Sequence, residues 1–183
     1  MKEVLFTLIR DVKSPVRGTS EAAGIDFFVP NFNNEFYNDL TDKNVDNEHL
    51  GIEYIVYKDD NGKNQLQIKL YPHARILIPS GVKVGIEPGT MLMAANKSGV
   101  STKKGLSYTA EIVDSDYDGE VHIGVVNTSD EEVYITTGDK LMQFIHVPVF
   151  LSSLKEVSLN DMSEYHKNSL RGDMGFGEGT GNN

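Results

Sequence analysis

Ten short β-prone runs, most of them followed by a turn signal, constrain this chain more than any other feature. They cover residues 3–9, 25–29, 52–57, 65–70, 75–79, 82–86, 91–95, 121–126, 132–136 and 141–149. Between them lie Asp59-Asp60-Asn61-Gly62, Pro79-Ser80-Gly81, Glu87-Pro88-Gly89, Thr128-Ser129-Asp130 and Thr137-Gly138-Asp139. Glycine, proline and short polar side chains at such points turn the chain, and alternation between them half-buries each strand. The pattern predicts an all-β fold: a sandwich, a barrel or a jelly roll. Helical periodicity is confined to short stretches near 100–105 and 160–167.

With 183 residues and 39% hydrophobic content, the chain can build one domain with a substantial core. It has no apolar run long enough to cross a bilayer. The first ten residues alternate after an early glutamate, as an opening strand does and a signal peptide does not. The chain has no cysteine, which removes disulfides, thiolate metal sites and cysteine nucleophiles. A reducing, cytoplasmic setting fits. A net charge of −10 disfavours nonspecific binding to nucleic acid or to an anionic membrane. An anionic ligand would need a local basic island.

Residues 31–51 are rich in Asn, Asp and Glu and read as a surface excursion. Residues 52–70 read as a hairpin turning at Asn61-Gly62. The organisation expected is a β domain over 1–167, interrupted by an insertion at about 31–68, and a glycine-rich tail over 168–183. That tail holds five glycines between Arg171 and Gly181 and cannot fix one conformation alone.

Five segments could carry chemistry. In Ala22-Ala23-Gly24-Ile25-Asp26-Phe27, a glycine precedes a lone carboxylate in an apolar strand, which suggests a close backbone approach or a bulge, or simply a strand-edge aspartate. Residues 95–105 gather Lys97, Lys103 and Lys104 with Ser98, Gly99 and further hydroxyls. Such a group suits a phosphate chain, although the same lysines could merely be solvated. In Ile112-Val113-Asp114-Ser115-Asp116-Tyr117-Asp118-Gly119-Glu120-Val121, three aspartates crowd one turn. Their repulsion costs free energy that a cation, a partner or a catalytic task could offset, unless the turn is simply solvated. Gln143 interrupts the apolar strand after Gly138; alternation alone faces it outward, and inward it would need hydrogen-bond partners. The tail carries Arg171, Phe176 and Thr180, a cation, a stacking ring and a hydroxyl suited to closing over a nucleotide, or to an unstructured terminus.

Taken together and in this order, the five segments resemble the five motifs of the trimeric dUTPase family. The first is similar to Ala-Gly-x-Asp-Leu and the second to Arg-Ser-Ser/Gly, with Lys97 in place of arginine. The third is similar to Gly-x-Ile-Asp-x-Asp-Tyr-x-Gly, the fourth to Gly-x-Arg-Ile-x-Gln-Leu, and the fifth to Arg-Gly-x-Gly-Gly-Phe-Gly-Ser-Thr-Gly. The resemblance spans residues 3–181 apart from about 31–68.

The resemblance implies a distorted jelly roll of the β-clip type and a homotrimer whose sites use motifs from three chains. It implies hydrolysis of dUTP to dUMP and pyrophosphate with Mg²⁺, held mainly by phosphates and water rather than by protein ligands. Asp114 would be the general base. Tyr117 would pack on the deoxyribose and exclude a ribose hydroxyl. The hairpin at about 106–112, with Thr109, Ala110 and Ile112, would read uracil through its backbone. Lys97, Ser98, Gly99 and Gln143 would meet the phosphates, and Asp26 would stand behind the metal's waters or position its neighbours. Closure of the tail would bring Phe176 over the base, with Arg171, Gly177 and Thr180 completing the phosphate site.

Several positions depart from the family. Lys97 keeps a charge but loses a bidentate fork. Thr109 and Glu111 stand where glycines are common and could narrow the uracil hairpin. Met174 replaces a tail glycine, and Glu178 adds a charge to a motif lengthened by one residue. Two rival readings stand beside this one. A dCTP deaminase would need a glutamate where Gly124 stands. A regulatory module would use residues 31–68 to dock a protein partner.

Overall fold

The computed structural model describes residues 3–174, and strands dominate them. The first half of the chain supplies β1 (Leu5–Leu8), β2 (Val16–Arg17), β3 (Gly24–Asp26), helix α1 (Asn34–Asn44), β4 (Ile52–Lys58), β5 (Asn64–Leu70) and β6 (Arg75–Gly85). A 3-10 turn, Val45–Leu50, leads from α1 towards β4. Then come β7 (Thr90–Asn96), α2 (Ser98–Lys104), β8 (Leu106–Tyr108), β9 (Ile112–Asp114), β10 (Val121–Asn127), β11 (Val133–Thr136), β12 (Met142–Pro148) and α3 (Leu159–Tyr165).

The strands form three antiparallel sheets, ordered β1-β6-β10-β8, β11-β5-β4 and β2-β3-β12-β7-β9. None closes into a barrel. Period-two alternation buries Leu66, Ile68 and Leu70 on β5, and Val121, Ile123 and Val125 on β10. Phe27 and Phe144 meet at 4.7 Å between ring centroids inside this core. All-β architecture and most strand positions thus follow the alternation read from sequence, and both short helices lie where the periodicity placed them.

Two differences bear on function. Pro79-Ser80-Gly81 does not separate two strands. It is a bulge inside β6, where pairing with β10 jumps from Pro79↔His122 to Val82↔Val121. A bulge tolerates proline and bends the strand, and Gly81 takes the left-handed φ of 75° that it needs. The second difference corrects the reading of 31–51 as a surface excursion. Asn33 caps α1 by accepting the Phe36 N–H at 2.8 Å. Phe36, Leu40 and Asn44 then recur every four residues on one face, all buried. Asn44 donates to the Leu77 carbonyl at 2.7 Å and accepts the Leu77 N–H at 2.9 Å, so the helix is tied to β6 through a fully used amide. The hairpin expected over 52–70 is present as β4 and β5, and β11 extends it to three strands.

The chain divides into two compact units, Met1–Phe150 and Leu151–Asn183. Within the described part of the second, residues 151–158 are without regular structure and expose Leu151 and Leu154; α3 follows, capped by Ser158. Residues 168–174 fall within this unit. Among the described residues, no helix is long and apolar enough to cross a membrane.

Candidate active site

Asp26, Lys97 and Gln143 form one group and Asp114 with Tyr117 another, both carried by the β2-β3-β12-β7-β9 sheet. The first surrounds Asp26. β3, β12 and β7 lie side by side, and their register sets Asp26 opposite Gln143 and Gln143 opposite Ala95. Lys97 follows directly on β7. Its ammonium group donates to one oxygen of Asp26, and Lys140 Nζ reaches the other at 2.9 Å. Burial alone pushes the Asp26 carboxyl up, and the two lysines together outweigh it and hold it below the ordinary carboxylate range. Gln143 is half-buried and donates to the Asn96 carbonyl at 2.9 Å. Its side chain crosses Gly24, where a Cβ would lie 1.9 Å from Oε1. That close approach is why a glycine precedes Asp26. Ser98 and Gly99 open α2 beside this group and are exposed.

The second group surrounds the acidic turn. A cavity of about 250 Å³ is lined by Leu77, Ala110, Ile112, Asp114, Tyr117 and His122, among others. Asp114 ends β9 and is exposed; Tyr117 donates its backbone N–H to the Asp114 carbonyl at 3.2 Å. The Tyr117 hydroxyl donates to the Glu120 carbonyl at 3.0 Å. The ring therefore lies across Gly119, where a Cβ would come within 2.2 Å of it. The Asp-Tyr-Asp-Gly order of the turn thus has a packing reason: any side chain at 119 would displace the tyrosine.

The side chains at 109 and 111 are accommodated in the 106–112 hairpin. Thr109 turns its hydroxyl over Gly124, where a Cβ would meet it at 2.7 Å, so a side chain at 109 is matched by none at 124. The Thr109 N–H is used by the Gly124 carbonyl and the Glu111 carbonyl by the Ala94 N–H. The Glu111 side chain is exposed.

The two groups do not meet within one chain. Asp114 pairs with Met91 at one end of β7, and Lys97 follows Asn96 at the other. At about 3.3 Å per residue, the six steps from Met91 to Lys97 set them on the order of 20 Å apart. Of the tail residues, Arg171 is described and exposed; its Nε donates to the Met174 carbonyl. Phe176, Gly177 and Thr180 lie outside the described residues.

Sequence reasoning passed over three residues here. Lys140 holds the basic position of the fourth motif, and that signal was available. Asn96 gave none: its side chain accepts the Tyr108 N–H at 3.0 Å while its carbonyl accepts Gln143, joining the two motifs to the hairpin. His122 lines the cavity with its Nε2 buried and, among the described residues, without a hydrogen-bond partner. Burial pushes its pKa down, which favours the neutral ring.

Comparison with known proteins agrees with the residue pattern. The family model described as dUTPase matches residues 63–180. A deoxyuridine 5'-triphosphate nucleotidohydrolase of Finegoldia magna is 38% identical over 112 residues, covering 60% of this chain and 74% of that protein. The protein of the same name from a Wolbachia pipientis strain is 32% identical, covering 71% and 80%. Among solved structures, a variant of the Staphylococcus bacteriophage 80alpha dUTPase with dUpNHpp superposes with a TM-score of 0.66 at 20% identity, covering 97% of this chain and 98% of that one. A mutant dUTPase from phage phi11 of S. aureus, described with a structural Mg(II) ion, reaches 0.59 at 20% identity, covering 85% and 96%. The structural likeness establishes the shared fold. Because the family model spans more than half of its residues and these relatives are about a third identical to it over the aligned stretches, the chain belongs to the dUTPase family.

Proposed function

We propose that this protein is a dUTP diphosphatase, hydrolysing dUTP to dUMP and pyrophosphate in a reducing, cytoplasmic setting. The observation that carries the reading is the joint placement of Asp114 and Tyr117 at one cavity that Ala110 and Ile112 of the 106–112 hairpin also line. Asp114 takes a proton from a water molecule, whose oxygen bonds to the α-phosphorus as the bond to the bridging α–β oxygen breaks. The departing pyrophosphate carries the electron pair. A carboxylate aimed at that water supplies general-base catalysis. The Tyr117 ring, held over Gly119, covers the sugar and leaves a ribose 2′-hydroxyl without partners. Thr109 N–H and the Glu111 carbonyl are engaged within the fold, so the base falls to the backbone between them, at Ala110.

Lys97, Ser98, Gly99 and Gln143 then serve as phosphate ligands, with Asp26 and Lys140 positioning Lys97. Because these lie at the far end of β7 from Asp114, a complete site draws them from another copy of the chain. A homotrimer with shared sites meets that need and would be a closed cyclic assembly. The apolar side chains left exposed on β1, Leu5, Phe6 and Leu8, support a surface that other copies cover. The tail residues Arg171, Phe176, Gly177 and Thr180 are assigned to closure over the bound nucleotide.

Mg²⁺ belongs to this reading as the counter-ion of the triphosphate. Among the described residues no cluster of three or more His, Asp or Glu could hold it. Both oxygens of Asp26 are engaged by lysines. The donors present suit an ion carried by phosphates and water, which neutralises the developing charge when bound.

Replacing Asp114 by Asn tests the reading. Turnover should fall by roughly 10²–10⁴-fold, while a non-hydrolysable dUTP analogue still binds with near wild-type affinity in calorimetry. Near-normal turnover would remove Asp114 from the role. A protein working equally on dUTP, dTTP, dCTP and UTP would sink the substrate assignment.

A further inference from the structure

Arg10 sits where three distant parts of the chain meet. It follows β1, and only 8% of its side chain is exposed. Nε and Nη2 donate to the two carboxylate oxygens of Glu120, each at 2.8 Å. Nη2 also donates to Asp39 on α1 at 2.5 Å, and Nη1 lies 3.9 Å from Glu35 on the same helix. Glu120 closes the acidic turn. One of its oxygens accepts the Gly81 N–H at 2.6 Å, in the bulge of β6, and its backbone carbonyl holds the Tyr117 hydroxyl. Gly81 in turn packs against Arg10, since a Cβ there would lie 3.0 Å from Arg10 Cβ. A planar guanidinium gripping a carboxylate with two parallel bonds fixes orientation as well as position. The Glu120 backbone is thereby pinned on the side that aims the tyrosine.

We propose that Arg10 is a positioning residue steered by Asp39 of α1. Through Glu120 the pair sets the Tyr117 ring, and with it the preference for deoxyribose over ribose nucleotides. The inference rests on the function proposed above, in which Tyr117 covers the sugar. It gives α1 a task besides filling the core. The helix buries Phe36 and Leu40 and turns Glu35 and Asp39 to the arginine that grips the turn. A network serving stability alone would lower the melting temperature without changing which sugar is accepted.

Arg10→Lys keeps the charge and loses the fork. Asp39→Asn, on a half-exposed helix position, removes only one charge pair and leaves the core intact. Both are compared with wild type for kcat/KM on dUTP and UTP, for calorimetric affinity toward non-hydrolysable dUTP and UTP analogues, and for melting temperature. Arg10→Lys should narrow the dUTP-to-UTP ratio about tenfold and Asp39→Asn about two- to threefold, with analogue affinities moving in parallel. The double variant should be no worse than Arg10→Lys, because both act through one chain of contacts. If Arg10→Lys fails to fold, Asp39→Asn decides. A wild-type protein that prefers dUTP, with variants that keep its ratio or lose both activities in equal proportion, overturns this inference alone. A wild-type protein that does not hydrolyse dUTP overturns the functional reading beneath it as well.

Discussion

The acidic turn and the lysine-held cluster are built by opposite means. Around Asp114 the chain uses shape: Tyr117 lies on a bare Gly119, its hydroxyl is fixed by a backbone carbonyl, and Thr109 fills the space above Gly124. Around Asp26 it uses charge, with two ammonium groups on one buried carboxylate. The first arrangement can discriminate a sugar and a base, which differ by shape and hydrogen bonding. The second presents cations already held in place, as a triphosphate requires. Each is well packed, and β7 holds them apart. In the function proposed here, that division of labour between the ends of one strand would also be a division between copies of the chain.

Two substitutions sharpen the contrast. The larger effect is expected from Gly119→Ala. A Cβ within 2.2 Å of the Tyr117 ring forces it off its seat. Competition kinetics should show the preference for dUTP over UTP falling by roughly tenfold, with the lysine cluster and the melting temperature little changed. A retained preference would mean that the ring's seat is irrelevant to sugar choice. The smaller effect belongs to the charged end. The folded-state pKa of Asp26 lies below its ordinary value. Its contribution to stability is therefore fully present above the unfolded value of about 3.8 and is lost as pH falls through the lower folded value. As pH falls below about 3.8, the melting temperature of wild type should drop more steeply than that of Asp26→Asn. Parallel slopes would show that the two lysines do not hold the carboxylate in its charged form.

The sequence makes these two ends legible to different degrees. Alternation revealed the strands because burial on one face leaves a period of two that needs no distant information. It could not tell the Pro79–Gly81 bulge from a turn, since both call for proline and a glycine with positive φ. α1 escaped because its inward face shows only Phe36 and Leu40 before the third position falls to Asn44, a polar side chain that earns burial by bonding Leu77. Asp114, Tyr117, Lys97 and Gln143 stood out because local order carries the family resemblance. Lys140 was readable from the same motif. Arg10 and Glu120 were not, because their pairing spans 110 positions and leaves no local trace. Nor could any motif announce that the two groups would land at opposite ends of β7; only the register shows it.

The sharing of one site between copies is tested most directly by mixing two crippled proteins. One carries Asp114→Asn; the other carries Lys97→Ala with Gln143→Ala. Each alone should be nearly inactive. Unfolded together in equal amounts and refolded, they should regain about a quarter of wild-type turnover, because random cyclic assembly gives one site in four an intact half from each of two neighbours. Activity no higher than the average of the two separate proteins, with mixed assemblies present, would mean that each site is made within a single chain.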